Sequence, residues 1–184
     1  MNDLFNNSIK GSQLNIGDKA PDFVLETEEG KIWRLSEQLG KVTALLFYPK
    51  NETLVCTKQL CSVHDNWADY LETKASVVGI SPGEPEDHRK FSRRHRLPLR
   101  ILADADRTIT KIYGRHWLMP VQITRAIVIV DAQGFIRCRR IMLRAFRPTD
   151  RGVIASIYAA RTDFIHEQYS HIINEAREKN RHLE

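Results

Sequence analysis

Two cysteines, Cys56 and Cys61, lie five residues apart just beyond an apolar run, Val42-Thr43-Ala44-Leu45-Leu46-Phe47-Tyr48, that stops at Pro49. The run reads as a buried strand. The short polar loop Lys50-Asn51-Glu52 follows, and Cys56 then falls where a helix can begin. A helix start presents unpaired backbone N–H groups and the positive end of the macrodipole. A thiol placed there ionises more readily, and the thiolate is the nucleophile. With a second thiol so close, redox chemistry is the first idea the pattern raises.

Pro49, Thr53 and Cys56 spell P-x-x-x-T-x-x-C, which resembles the active-site signature of the peroxiredoxins, the thiol peroxidases. Cys61 matches the resolving position of the bacterioferritin-comigratory-protein, or peroxiredoxin Q, subfamily. Flanking segments agree: Gly17-Asp18-Lys19-Ala20-Pro21-Asp22-Phe23, Ser81-Pro82, Glu86-Asp87-His88-Arg89-Lys90-Phe91, Leu97-Pro98, Leu102-Ala103-Asp104 and Tyr113-Gly114. The similarity runs from about residue 14 to about residue 145.

The resemblance implies a thiol-dependent peroxidase that reduces hydrogen peroxide, with organic hydroperoxides left open. Cys56 would become a sulfenic acid, and Cys61 would resolve it as an intramolecular disulfide. Thioredoxin or a similar dithiol would recycle it, and no cofactor is implied. Arg125 is the implied cation beside Cys56, and its guanidinium stays charged at any working pH. Thr53 would hydrogen-bond the peroxide, Pro49 would shield Cys56 from water, and the N–H groups of Val55 and Cys56 would stabilise developing charge. Five residues of intact helix mean about 140° of rotation and a rise of roughly 7.5 Å. A disulfide wants Cα atoms within about 7 Å and converging Cβ vectors. The first turns of the helix are therefore expected to unwind when Cys56 and Cys61 join. One departure stands out: Leu54-Val55 replaces the Pro-Gly that many subfamily members carry before the first cysteine.

The residues taken singly leave plainer alternatives. Cys61 can be a small buried hydrophobe, Thr53 a helix cap, Pro49 a strand terminator and Arg125 a surface arginine. Cys138 reads as a packing residue on a returning strand. Cys56, Cys61 and His64 lack a fourth zinc ligand and differ in helical phase. A thioredoxin-like oxidoreductase wants C-x-x-C, whereas this chain has C-x-x-x-x-C. A redox-sensing or partner-binding protein with weak peroxidase turnover is the alternative from another class.

At 184 residues, with 42% hydrophobic and 28% charged, the chain suits one globular domain, residues 1–184. Three cysteines do not make a structural disulfide framework. No apolar run approaches the roughly 18 residues of a membrane span, and the first residues lack a signal-peptide pattern, which favours the cytoplasm. The net charge of +5 is uneven, with Arg137, Arg139, Arg140, Arg144, Arg147 and Arg151 close together. These read as a solvated strand end and helix face, and nucleic-acid binding is disfavoured. The resemblance permits a monomer or a homodimer.

Strands alternating with helices and closed by an antiparallel hairpin predict an α/β sandwich around a central mixed β-sheet flanked by helices; the resemblance implies a thioredoxin-like fold. Residues 1–15 read as a loose arm. Phe23-Val24-Leu25 and Ile32-Trp33-Arg34-Leu35 read as an N-terminal hairpin. One helix is expected from near Val55 to about Leu71, with Leu60, Val63, Trp67 and Leu71 on one side. Helices are expected at 85–95 and 106–112, buried strands at 75–80 and 125–130, and a return strand from Phe135 to Leu143. An extended C-terminal helix is expected in the segment 149–184.

Overall fold

The computed structural model describes residues 13–116, 118, 120 and 124–161. Most of the expected N-terminal arm and the helix expected beyond residue 161 lie outside the described residues. The strands are β1 (Val24–Thr27), β2 (Ile32–Arg34), β3 (Thr43–Phe47), β4 (Ser76–Ser81), β5 (Arg100–Ala103), β6 (Thr124–Val130) and β7 (Ile136–Leu143). They form one seven-stranded sheet in the order β2-β1-β5-β4-β3-β6-β7. β3, β4 and β5 run parallel, while β6 pairs antiparallel with β3 and with β7. Helices α1 (Leu54–Asp65), α2 (Trp67–Glu72), α3 (Pro85–His95) and α4 (Thr108–Tyr113) connect them. Residues 150–161 form a further helix, α5. The mixed α/β architecture expected from the sequence is the one observed.

Period-two alternation sorts the buried strands between two cores. Ala44, Leu46 and Tyr48 join Ile127 and Ile129 on the face covered by α1 and α3, with Cys56, Leu60 and Phe91. Leu45 and Phe47 join Ala126, Val128 and Val130 on the other face, with Phe23, Trp33 and Tyr113. Every residue of β3 and β6 is buried, as in strands covered on both faces. This parity sends Arg125 to the same side of the sheet as Ile127, Ile129 and Cys56.

The single helix expected over 55–71 is instead two. It breaks at Asn66 (φ −103°, ψ 19°), whose side-chain amide donates to the Ser62 carbonyl at 2.8 Å. The break changes the phase, so Tyr70 enters the core and Leu71 stays 60% exposed. α4 likewise begins two residues later than expected. Arg107 is left-handed (φ 61°), and the buried Asp104 carboxylate accepts the Ile109 and Thr110 N–H groups at 3.1 and 2.7 Å. The basic run on β7 is not simply solvated. Arg137 Nε donates to Asp131 at 2.6 Å, and Arg139 Nε donates to the Tyr113 carbonyl at 3.0 Å.

The Thr149 hydroxyl caps α5 by accepting from Gly152 N, and Val153, Ile157 and Ala160 are buried. Asp150 accepts from Ser62 Oγ on α1 and from Tyr70 OH on α2, the latter at 2.9 Å. Burial and the Asp150 carboxylate push the Tyr70 phenol above its ordinary range, which keeps it a donor. Tyr70→Phe should therefore cost about 1–3 kcal/mol, seen as a lower urea midpoint with unchanged m. An unaltered midpoint would mean that the contact contributes nothing.

Candidate active site

Thr53 holds β-like geometry (φ −88°, ψ 142°) and caps α1, its Oγ1 accepting from Cys56 N at 3.4 Å. Cys56 thus occupies the first turn, with 1% of its surface exposed. Arg125 projects from β6 and is fully buried, unlike the surface arginine its sequence alone suggests. Its Nη2 donates to Cys56 Sγ at 3.2 Å, and its Nη1 donates to Gln59 Oε1. The Arg125 Nε–H has no hydrogen-bond partner among the described residues. A buried guanidinium therefore holds the sulfur with one hand and keeps one donor unused. The Cys56 N–H, expected to face a substrate, is here taken up by the Thr53 cap.

Gln59 was not among the residues the sequence singled out. It lies three residues after Cys56 on the buried face of α1, and a polar residue interrupting an apolar stripe was the signal to look for. A second polar chain that the sequence did not reveal fixes the loop before the helix. Tyr48 OH donates to Asn51 Oδ1 at 2.9 Å, Asn51 Nδ2 donates to His88 Nδ1 at 2.8 Å, and His88 Nε2 donates to the Ser81 carbonyl at 3.1 Å. A carbonyl only accepts, so the His88 proton resides on Nε2 and Nδ1 is free to accept. Burial lifts the Tyr48 phenol above its ordinary range and depresses the His88 imidazole, so both stay neutral.

Pro49 is buried, and Leu54 is 81% exposed. A cleft of about 630 Å³ is lined by Pro49, Lys50, Thr53, Leu54, Val55, Arg107, Arg144 and Ala145. Cys56 sits one residue behind this lining. Leu54 and Val55 form an apolar wall to a mouth that also carries three cations.

Cys61 lies on the same unbroken helix as Cys56, half-buried, and both are free thiols. Its Sγ is 3.9 Å from His95 Nδ1 on α3. Burial and the Asp65 carboxylate hold the Cys61 thiol above its ordinary range. Cys138, on β7, packs half-buried against the α1-side core. Among the described residues no three His, Cys, Asp or Glu side chains gather as metal ligands.

The AhpC/TSA family model matches residues 16–139. The chain belongs to that family. Peroxiredoxin Bcp of Bacillus subtilis is 32% identical over 130 residues, covering 66% of this chain and 81% of that one. The chloroplastic peroxiredoxin Q of Populus jackii is 37% identical over 131 residues, covering 68% of this chain and 60% of that one. The crystal structure of peroxidoxin BcpB from Mycobacterium tuberculosis superposes with a TM-score of 0.68 at 28% identity, covering 80% of this chain and 98% of that one. The reduced 2-Cys peroxiredoxin of Plasmodium vivax shares the fold, with a TM-score of 0.73 at 21% identity over 85% and 86% of the two chains. This peroxiredoxin is thus of the Bcp and peroxiredoxin Q type, a thiol-dependent peroxidase with a thioredoxin-like fold.

The buried His88 makes the peroxiredoxin's stability depend on pH in a definite direction. Its folded pKa lies below the unfolded value of about 6.5, so above that pH both states are neutral and the full stability is present. As pH falls from there towards the depressed folded value, the unfolded chain takes a proton that the folded one refuses, and stability is lost. Urea unfolding of wild type and His88→Gln at neutral and mildly acidic pH should show a smaller acid loss in the variant. Equal losses would rule out His88 as the cause.

Proposed function

We propose that the chain reduces hydrogen peroxide through Cys56 and resolves the product through Cys61. The contact between Arg125 Nη2 and Cys56 Sγ in the first turn of a capped helix carries this reading. The Cys56 thiolate attacks one peroxide oxygen, the O–O bond breaks, and the departing oxygen leaves as water or alcohol once protonated. Cys56 becomes a sulfenic acid. The unused Arg125 Nε–H is suited to the peroxide, while Nη2 retains the sulfur. The Thr53 oxygen accepts from Cys56 N, so its hydrogen remains to be donated to the peroxide. Pro49, buried beside them, keeps water from the sulfur.

Resolution joins the Cys61 sulfur to the Cys56 sulfur and releases water. α1 cannot stay wound while this happens, since an ideal helix sets the two residues about 140° apart. Cys56, Leu60 and Val63 are all core residues, but Ser62 beside Cys61 is tied to Asp150 whereas the first turn starts at the exposed Leu54, so the turn carrying Cys56 is the one that moves. The disulfide then returns to dithiol by exchange with thioredoxin or a similar reductant, for which the exposed Leu54 and the cleft mouth offer an approach. Residues 1–184 act as one such domain in the cytoplasm. No described helix is long and apolar enough to cross a membrane.

Mass spectrometry after one equivalent of hydrogen peroxide, with peptide mapping, tests the cycle. A Cys56–Cys61 disulfide is expected in wild type and none in Cys56→Ser. Cys61→Ser should stop at the sulfenic acid and lose turnover with a dithiol. A stable sulfenic acid in wild type would refute resolution by Cys61. Arg125→Ala should slow Cys56 oxidation about 10²- to 10³-fold, the usual effect of removing one preorganised donor; an unchanged rate constant would remove its assigned role. Amide exchange over residues 54–64 should be faster in the oxidised protein, and identical protection would contradict the unwinding.

A further inference from the structure

The step that forms the disulfide needs the Cys61 proton removed, and the surroundings of Cys61 do not favour its loss: burial and Asp65 both oppose the thiolate. His95 ends α3 directly across from it, with Nδ1 at 3.9 Å from Sγ, a separation suited to an S–H···N contact. The ring is fixed by Phe91, one turn earlier, at 4.8 Å between centroids. Its other nitrogen, Nε2, is buried without a hydrogen-bond partner among the described residues and lies 3.6 Å from Glu52 Oε2. At that distance the carboxylate acts through its charge rather than through a hydrogen bond. Glu52 itself holds a left-handed conformation (φ 57°) in the loop between Pro49 and Cys56, and its other oxygen accepts from Arg94 Nη1 at 2.9 Å.

We propose that His95 is the general base for Cys61 in the resolving step, and that Glu52 positions the ring and balances its charge. The inference rests on the resolving role given to Cys61 above. Neutral His95 presents the Nδ1 lone pair to the thiol and keeps its proton on Nε2, towards Glu52. As the Cys61 sulfur attacks the sulfenic sulfur of Cys56, its proton passes to Nδ1 and the new S–S bond displaces hydroxide. The imidazolium then returns that proton to the hydroxide, so water leaves and His95 is neutral again. Glu52 from the loop is the charged group against the ring; Arg94 on the same helix as His95 pairs with Glu52 and partly offsets it, and Asp65 from α1 acts on the Cys61 side of the pair.

The test separates the two steps in a single turnover, with dimedone trapping of the sulfenic acid and mass spectrometry of the disulfide as a function of pH. His95→Gln should form disulfide about 10²-fold more slowly near neutral pH, the low end of general-base effects. Its rate should climb steadily with pH as Cys61 ionises unaided, where the wild-type rate levels off. Added imidazole should restore part of the rate. Glu52→Gln, altered at a half-exposed side chain, should lose several-fold and remain saturable in pH. An unchanged disulfide rate and pH profile in His95→Gln would overturn the proposal, as would equal slowing of sulfenic acid formation, which would mark a structural defect. Wild type that accumulates sulfenic acid without disulfide would instead refute the resolving role of Cys61, and the base with it.

Discussion

A fully buried guanidinium must find compensation inside the protein, because removing a charge from water costs several kcal/mol even after relaxation. Arg125 has no carboxylate within ion-pair distance among the described residues, in contrast to Arg137, which pairs with Asp131. Its hydrogen-bond acceptors are Gln59 and the sulfur of Cys56. Most of the local architecture follows from that. β6 must be in the register that turns Arg125 towards α1, and the first two turns of α1 must be wound so that Cys56 and Gln59 face it together. The Thr53 cap sets where that winding starts, and the Tyr48-Asn51-His88 chain sets where the loop delivers Thr53.

The parts of the site that depend on neighbouring residues were legible in the sequence. Strand, loop and helix start could be read from the apolar run, Pro49 and the polar residues after it, and Thr53 was readable as a cap. The mixed sheet followed from alternating strand and helix patterns. The roles of Gln59, Asn51, His88 and His95 have no local signal, because each takes its meaning from a partner far along the chain. The Arg125–Cys56 contact spans 69 positions, and no periodicity within β6 reveals which helix will cover its odd-numbered face. Arg125 was reached only through resemblance. The break at Asn66 is hidden in the sequence for a different reason: Trp67 and Leu71 continue a helical spacing from Leu60 and Val63, and only the Asn66 side chain bonding back to Ser62 interrupts it.

The substitution of Leu54-Val55 for Pro-Gly also takes on a specific meaning. Leu54 occupies the first helical position and points outward, so its bulk is added to the mouth of the site rather than to the sulfur pocket. Lys50, Arg107 and Arg144 border the same cleft. Part of the chain's positive charge is thereby concentrated beside an apolar wall at the cleft mouth.

Asp150, tied to Ser62 and Tyr70, divides α1 mechanically. Ser62 adjoins Cys61, so the clamp ties down the rear of the helix, while the front is retained by a 3.4 Å cap and by one arginine. The ties at the two ends are unequal. The helix behaves as a cantilever, with Cys56 near its free end and Cys61 near its root. Under the proposed joining of Cys56 to Cys61, the bending falls on the front turn and is kept from α5, which leaves the body of the fold rigid.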